Sequence, residues 1–282
     1  MSIQDIPSAN TTSIKENMHQ VSMTQEKGQY KLWQILGIWF VGGAPMWLLG
    51  WVAFPALSAG MLTLEASMLR LKLLTAGLIW QFVLAMIILY REEGNIRLST
   101  ISRRFWLNHP VSARTGKTRK ALWWWIVPLF LLVAFMELAV RPQVVNLWTT
   151  IFPFFTEPES FNSAILFSPD FRAQLVGAWS LLGLFTVNAL FNSVLGEEFL
   201  YRGVLLPKMA GVFGKWDWVA NGVLFGFYHL HQPWGILSNV LFGLIVAFSG
   251  KRFRSNWFPI ILHSGQGVYF LVLISGLVLG LA

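Results

Sequence analysis

Two adjacent carboxylates stand inside an apolar stretch, in Gly196-Glu197-Glu198-Phe199-Leu200-Tyr201-Arg202-Gly203. On a helix Glu198 and Arg202 lie one above the other and can pair, whereas Glu197 points about 100° away, with Tyr201 as its neighbour one turn on. One carboxylate is neutralised and the other stays free to exchange protons. Two imidazoles occupy other apolar stretches: His229 in Phe225-Gly226-Phe227-Tyr228-His229 and His263 in Pro259-Ile260-Ile261-Leu262-His263. On helices starting near Asp217 and Trp257, these lie roughly 18 Å and roughly 9 Å deep. Ionisable groups in such stretches are costly and mark function by default.

A Glu and two His from three separate helices permit two chemistries. In the first, Glu197 and one His deprotonate a water that attacks a peptide carbonyl, while the other His stabilises the oxyanion. In the second, Glu197, His229 and His263 ligate Zn²⁺ and leave a fourth position open for water. Other intramembrane protease designs do not fit. The sequence has no HExxH, its Asp residues (Asp5, Asp170, Asp217) avoid mid-membrane positions, and Ser264-Gly265 lacks a Gly-x-Ser context. His231 is an accessory beside a break in the chain, and Glu137, four residues before Arg141, reads as a structural i,i+4 pair.

The elements that must position these groups are membrane helices. The 282 residues are 55% hydrophobic and only 12% charged, about half the charge of an ordinary soluble domain. A soluble globular fold, a disordered chain and a disulfide-stapled module are excluded. The absence of Cys also excludes thiolate catalysis and Cys-ligated metals. The spans read as 32–57, 71–90, 122–140, 173–196, 217–231, 234–250 and 257–281, an all-α polytopic bundle of about seven transmembrane helices. Pro45 and Pro55 should kink or end the first, and His231-Gln232-Pro233 should break the fifth from the sixth.

Arg91–Lys120 holds eight basic residues against Glu92 and Glu93. We read it as a cytoplasmic loop obeying the positive-inside rule and not as a nucleic-acid site. Loop 141–172 is then outside and the N-terminus inside. Residues 1–30 are polar, lack a signal-peptide core and form an expected disordered cytoplasmic tail. Helices of residues 31–172 precede a site-bearing region, 173–282. Trp123-Trp124-Trp125 reads as an interfacial belt, Gly222-xxx-Gly226 as a close helix contact, and no repeat marks a transporter.

Together these residues resemble the CPBP group, the CAAX proteases and bacteriocin-processing or immunity proteins also called Abi, and within it the type II CAAX prenyl endopeptidases. The motif EExxxR stands as Glu197-Glu198-Phe199-Leu200-Tyr201-Arg202, FxxxH as Phe225-Gly226-Phe227-Tyr228-His229, and Pro259-xxx-His263 follows. The resemblance covers about 175–272. It implies an endopeptidase of the prokaryotic plasma membrane cutting near the C-terminus of a membrane-associated protein or peptide, prenylated or not. Glu197 and His229 would activate water, His263 would assist, and Glu198, Arg202 and Phe225 would support them. The cofactor is either none or Zn²⁺ held by Glu197, His229 and His263. One departure stands out: the last motif usually reads HxxxN or HxxxD, and here that position is Gly267. A non-catalytic immunity or scaffold protein of the same family is the alternative. The site further requires the fourth helix to run on through about Leu206, so that Glu197 lies inside it.

Overall fold

The computed structural model describes residues 28–162 and 168–281. The expected tail falls outside the described residues as far as residue 27. Among the described residues the chain is helical, with one isolated β-bridge between Val111 and Thr118 in the basic loop. Six helices are long and apolar enough to cross a membrane: α1 (Leu32–Ser58), α2 (Thr63–Glu93), α3 (Lys120–Ile151), α4 (Trp179–Lys208), α6 (Pro233–Phe253) and α7 (Trp257–Val278). The fifth expected span, 217–231, is the 12-residue α5 (Asp217–Tyr228). At 1.5 Å per residue it covers about 18 Å, well short of a bilayer core. Large apolar side chains such as Trp33, Phe40, Leu131, Phe135 and Leu138 face outward on the long helices. Outside a bilayer such a surface would aggregate; the chain is an integral membrane protein.

Pro45 does not end α1. It lacks the N–H that would bond the Val41 carbonyl, and Trp80 Nε1 on α2 donates to that oxygen instead, at 2.9 Å. A π-turn over Leu49–Ala53 carries the helix on to Ser58. α5 and α6 form the tightest helix pair because glycines face each other. A Cβ on Gly226 would lie 2.7 Å from Val240 N, and one on Gly222 would lie 2.7 Å from Leu244 N. Backbone atoms cannot yield as a flexible side chain can. Gly226→Ala is therefore expected to destabilise by about 1–3 kcal/mol and to displace His229, three residues on. Gly183→Ala, where nothing stands within 4 Å, should leave the thermal midpoint in detergent unchanged or raise it. Equal effects from the two substitutions would refute close packing as the cause.

Polar side chains fasten the end of the bundle that carries the basic loop. Arg104 donates to Glu92 Oε2 at 2.7 Å and to the carbonyls of Gly203 and Val204 at 2.9 and 3.2 Å. Tyr30 donates to the other oxygen of Glu92. Lys251, near the end of α6, pairs with Asp217 at the start of α5. Trp123 stacks on Phe258, while Trp124 and Trp125 lie exposed, as an interfacial belt requires.

Candidate active site

α4 runs unbroken through Glu197 to Lys208, as the site requires. Its course is not a plain α-helix. Phe191–Leu195 and Glu198–Leu205 are π-helical, and between them Gly196 N–H bonds the Phe191 carbonyl at 2.7 Å. The wider turn is held from outside. Carbonyls of Glu198, Tyr201, Gly203 and Val204 accept side-chain donors from Asn256, Asn221 and Arg104. Gly196 has no room for a side chain, since a Cβ there would lie 2.7 Å from the Leu78 carbonyl of α2. Such π-turns recur where a helix must present side chains at unusual spacing.

Glu197 and Glu198 are both buried and serve different partners. Glu198 Oε1 lies 3.5 Å from Arg202 Nη1 and accepts from His263 Nδ1 at 2.9 Å. The Arg202 guanidinium rests 3.9 Å above the Phe225 ring centre, so Phe225 caps a fully enclosed ion pair. Glu197 Oε1 accepts from the Tyr228 hydroxyl at 2.7 Å, while its Oε2 has no hydrogen-bond partner among the described residues. That oxygen is 3.9 Å from His263 Nε2. The gap is too long for a hydrogen bond.

His229 sits at the C-terminal end of α5, and its Nδ1 is 2.9 Å from the Phe225 carbonyl. A carbonyl only accepts, so Nδ1 carries the proton and Nε2 keeps its lone pair. Its ring lies 4.4 Å from that of Tyr228 and 5.4 Å from that of His231. Glu197, His229, His231 and His263 all line one cavity of about 710 Å³. Phe130, Val133, Phe185 and Phe242 supply much of its apolar wall. Glu137 pairs with Arg141 at 3.0 Å and also accepts from Gln266 at 3.3 Å.

A zinc site does not fit this arrangement. Among the described residues no three His, Asp or Glu are placed to hold a metal ion. Both ring nitrogens of His263 are engaged, Nδ1 by Glu198 and Nε2 by the Asn192 amide at 3.2 Å. Asn192 is the residue that sequence reasoning missed. It lies five residues before Glu197, about one turn of a π-helix, and lines the same cavity. Gly267 explains how it arrives there. A Cβ at 267 would stand 3.3 Å from Ala189 Cβ and from Ser193 Oγ, so α7 without a side chain lets α4 close in. Gln266 does not take the missing polar position, because it is turned to Glu137. Being uncharged, Asn192 escapes a search for ionisable groups, although an amide in an apolar span is itself a signal.

No curated protein and no solved structure matches this chain. A family model described as Type II CAAX prenyl endopeptidase Rce1-like matches residues 178–269, from the start of α4 to past His263 on α7. The site-bearing part of this integral membrane protein is thus similar to the Rce1-like type II CAAX prenyl endopeptidases.

Proposed function

We propose that the chain hydrolyses a peptide bond near the C-terminus of a membrane-anchored protein or peptide, with Glu197 as general base. The observation that carries this reading is the bare Glu197 Oε2, buried beside His263 in a cavity that also presents the unprotonated His229 Nε2. A water there gives one proton to Glu197 and is oriented through its second hydrogen by His229. Its oxygen bonds to the scissile carbonyl carbon. The developing oxyanion takes an N–H from Asn192, whose other amide hydrogen is fixed on His263. Glu197 then returns its proton to the leaving nitrogen as the C–N bond breaks. The products are a new carboxyl group and a new amine, and no atom is unaccounted for. Glu198 and Arg202 hold the His263 ring in place, and Tyr228 holds Glu197.

The test is cleavage by the purified protein in lipid nanodiscs of a peptide ending in farnesyl-Cys-Val-Ile-Met, followed by mass spectrometry. Cleavage that survives a chelator supports the reading. Loss on chelation that Zn²⁺ restores would give Glu197, His229 and His263 the role of ligands and overturn the proposed roles. No cleavage of this or of unprenylated membrane-anchored peptides would favour the non-catalytic immunity or scaffold alternative. Asn192→Leu is expected to lower kcat by about 10²–10³-fold, the usual cost of losing an oxyanion donor, with KM little changed. An unaffected kcat would remove Asn192 from the mechanism.

A further inference from the structure

The cavity does not end at the carboxylate and imidazoles. Arg70 on α2 lines its far part, is only 8% exposed, and has Nε and Nη2 without a hydrogen-bond partner among the described residues. Its one acceptor among the described residues is the Phe161 carbonyl, 3.3 Å from Nη1, and its guanidinium lies 4.8 Å above the Phe161 ring. Phe161 is itself locked among Trp51, Phe54 and Trp234. The cation is thus held in one orientation with most of its N–H donors unmatched. A buried charge in that condition is costly unless an anion completes it. The other cation lining this part of the cavity, Arg141, already has Glu137.

Glu157 is the acidic group that faces Arg70 from the loop above, and it forms no ion pair with it within 4 Å among the described residues. Burial pushes the Glu157 carboxyl above the usual carboxylate range, against the pull of Arg70 and Arg141, which weakens it as a resident counterion. Leu78, whose carbonyl abuts Gly196, marks the level of the reacting groups on α2. Arg70 is eight residues earlier, about 12 Å along the helix. An extended peptide advances about 3.3 Å per residue, so three to four residues span that distance.

We propose that Arg70 binds the C-terminal carboxylate of the substrate, placing the bond three to four residues from the chain end at Glu197. The proposal deepens the hydrolase reading and rests on it for the position of the cut. A guanidinium with a free edge matches a carboxylate bidentately, and the apolar walls between the two ends suit aliphatic side chains. The enzyme would then measure its cut from the end of the chain.

The test separates binding from turnover. In the Glu197→Gln background, Kd is measured by tryptophan quenching for a farnesyl-Cys-Val-Ile-Met peptide with a free carboxylate and for its C-terminal amide. The acid should bind about 10- to 100-fold more tightly, as expected for charge-assisted hydrogen bonds. Arg70→Gln should reduce the preference to within about threefold, and Arg70→Lys should keep part of it by keeping the charge. The latter also guards against misfolding of the former. Equal affinities for acid and amide, or a preference that survives Arg70→Gln, would overturn the proposal. Glu157→Gln should retain or enlarge the preference, because it removes a competing carboxylate; losing it would show that the preference does not come from a free Arg70 and would equally overturn the idea. Failure of the hydrolase reading would instead appear as no cleavage of either peptide by the unsubstituted protein, with the acid preference intact.

Discussion

Glu197→Gln is expected to lower kcat for peptide cleavage by about 10²–10⁴-fold, the range for removing a positioned general base, while KM changes by less than about twofold. The substitution is nearly isosteric. Its amide oxygen can still accept from Tyr228, which now bonds Glu197 Oε1 at 2.7 Å. What vanishes is the proton acceptor at Oε2, the oxygen with no partner among the described residues. Single-turnover cleavage read by mass spectrometry, beside peptide binding by tryptophan quenching, checks both halves. A variant that binds and does not cut supports the assignment. A kcat within tenfold of the starting protein would show that another group activates the water. His229→Gln should cost less, since His229 orients the water and does not take its proton. If His229→Gln proved the more damaging of the two, the roles would be reversed.

Most of the architecture could be read from the sequence because bilayer helices announce themselves by length and apolarity. The errors came at their ends. A span of 173–196 stops just before Glu197, whereas α4 runs Trp179–Lys208 because Asn221, Asn256 and Arg104 satisfy its carbonyls from other elements. No window of composition contains that information. Likewise a span of 71–90 leaves Arg70 outside, although α2 begins at Thr63 and buries it. The fifth span reads as the short stretch 217–231; α5 ends three residues earlier, at Tyr228, and its glycines pack it closely against α6.

At the site, the pairing of Glu198 with Arg202 while Glu197 meets another partner follows from helical geometry and was legible. The partner of His263 was not. An i,i+4 rule looks along α7, where Gly267 offers nothing, while the amide that meets His263 comes from α4. The register between two helices is set by packing, here by the absence of a side chain at 267, and a linear pattern does not carry it.

The largest effect on stability is expected from Arg202→Met. Arg202 is 1% exposed, and Glu198 is entirely buried. Removing the cation leaves Glu198 enclosed with only the His263 Nδ1–H at 2.9 Å. Breaking a buried pair from one side costs about 3–5 kcal/mol, because the remaining charge has nowhere to be solvated. Methionine fills most of the volume over the Phe225 ring, so the loss reports charge and not a void. The double variant Glu198→Gln/Arg202→Met removes both charges and should recover most of the lost stability, as neutral replacements of buried pairs generally do. Activity should not return with it. An amide in place of Glu198 no longer supports His263 as a carboxylate does, and a histidine deprived of its carboxylate partner can lose about 10⁴ in rate. Thermal unfolding in detergent and peptide cleavage on the same preparations separate the two outcomes. A double variant as unstable as Arg202→Met would show that the pair is not the source of the loss. One that is both stable and fully active would show that Glu198 does nothing for His263 beyond filling space.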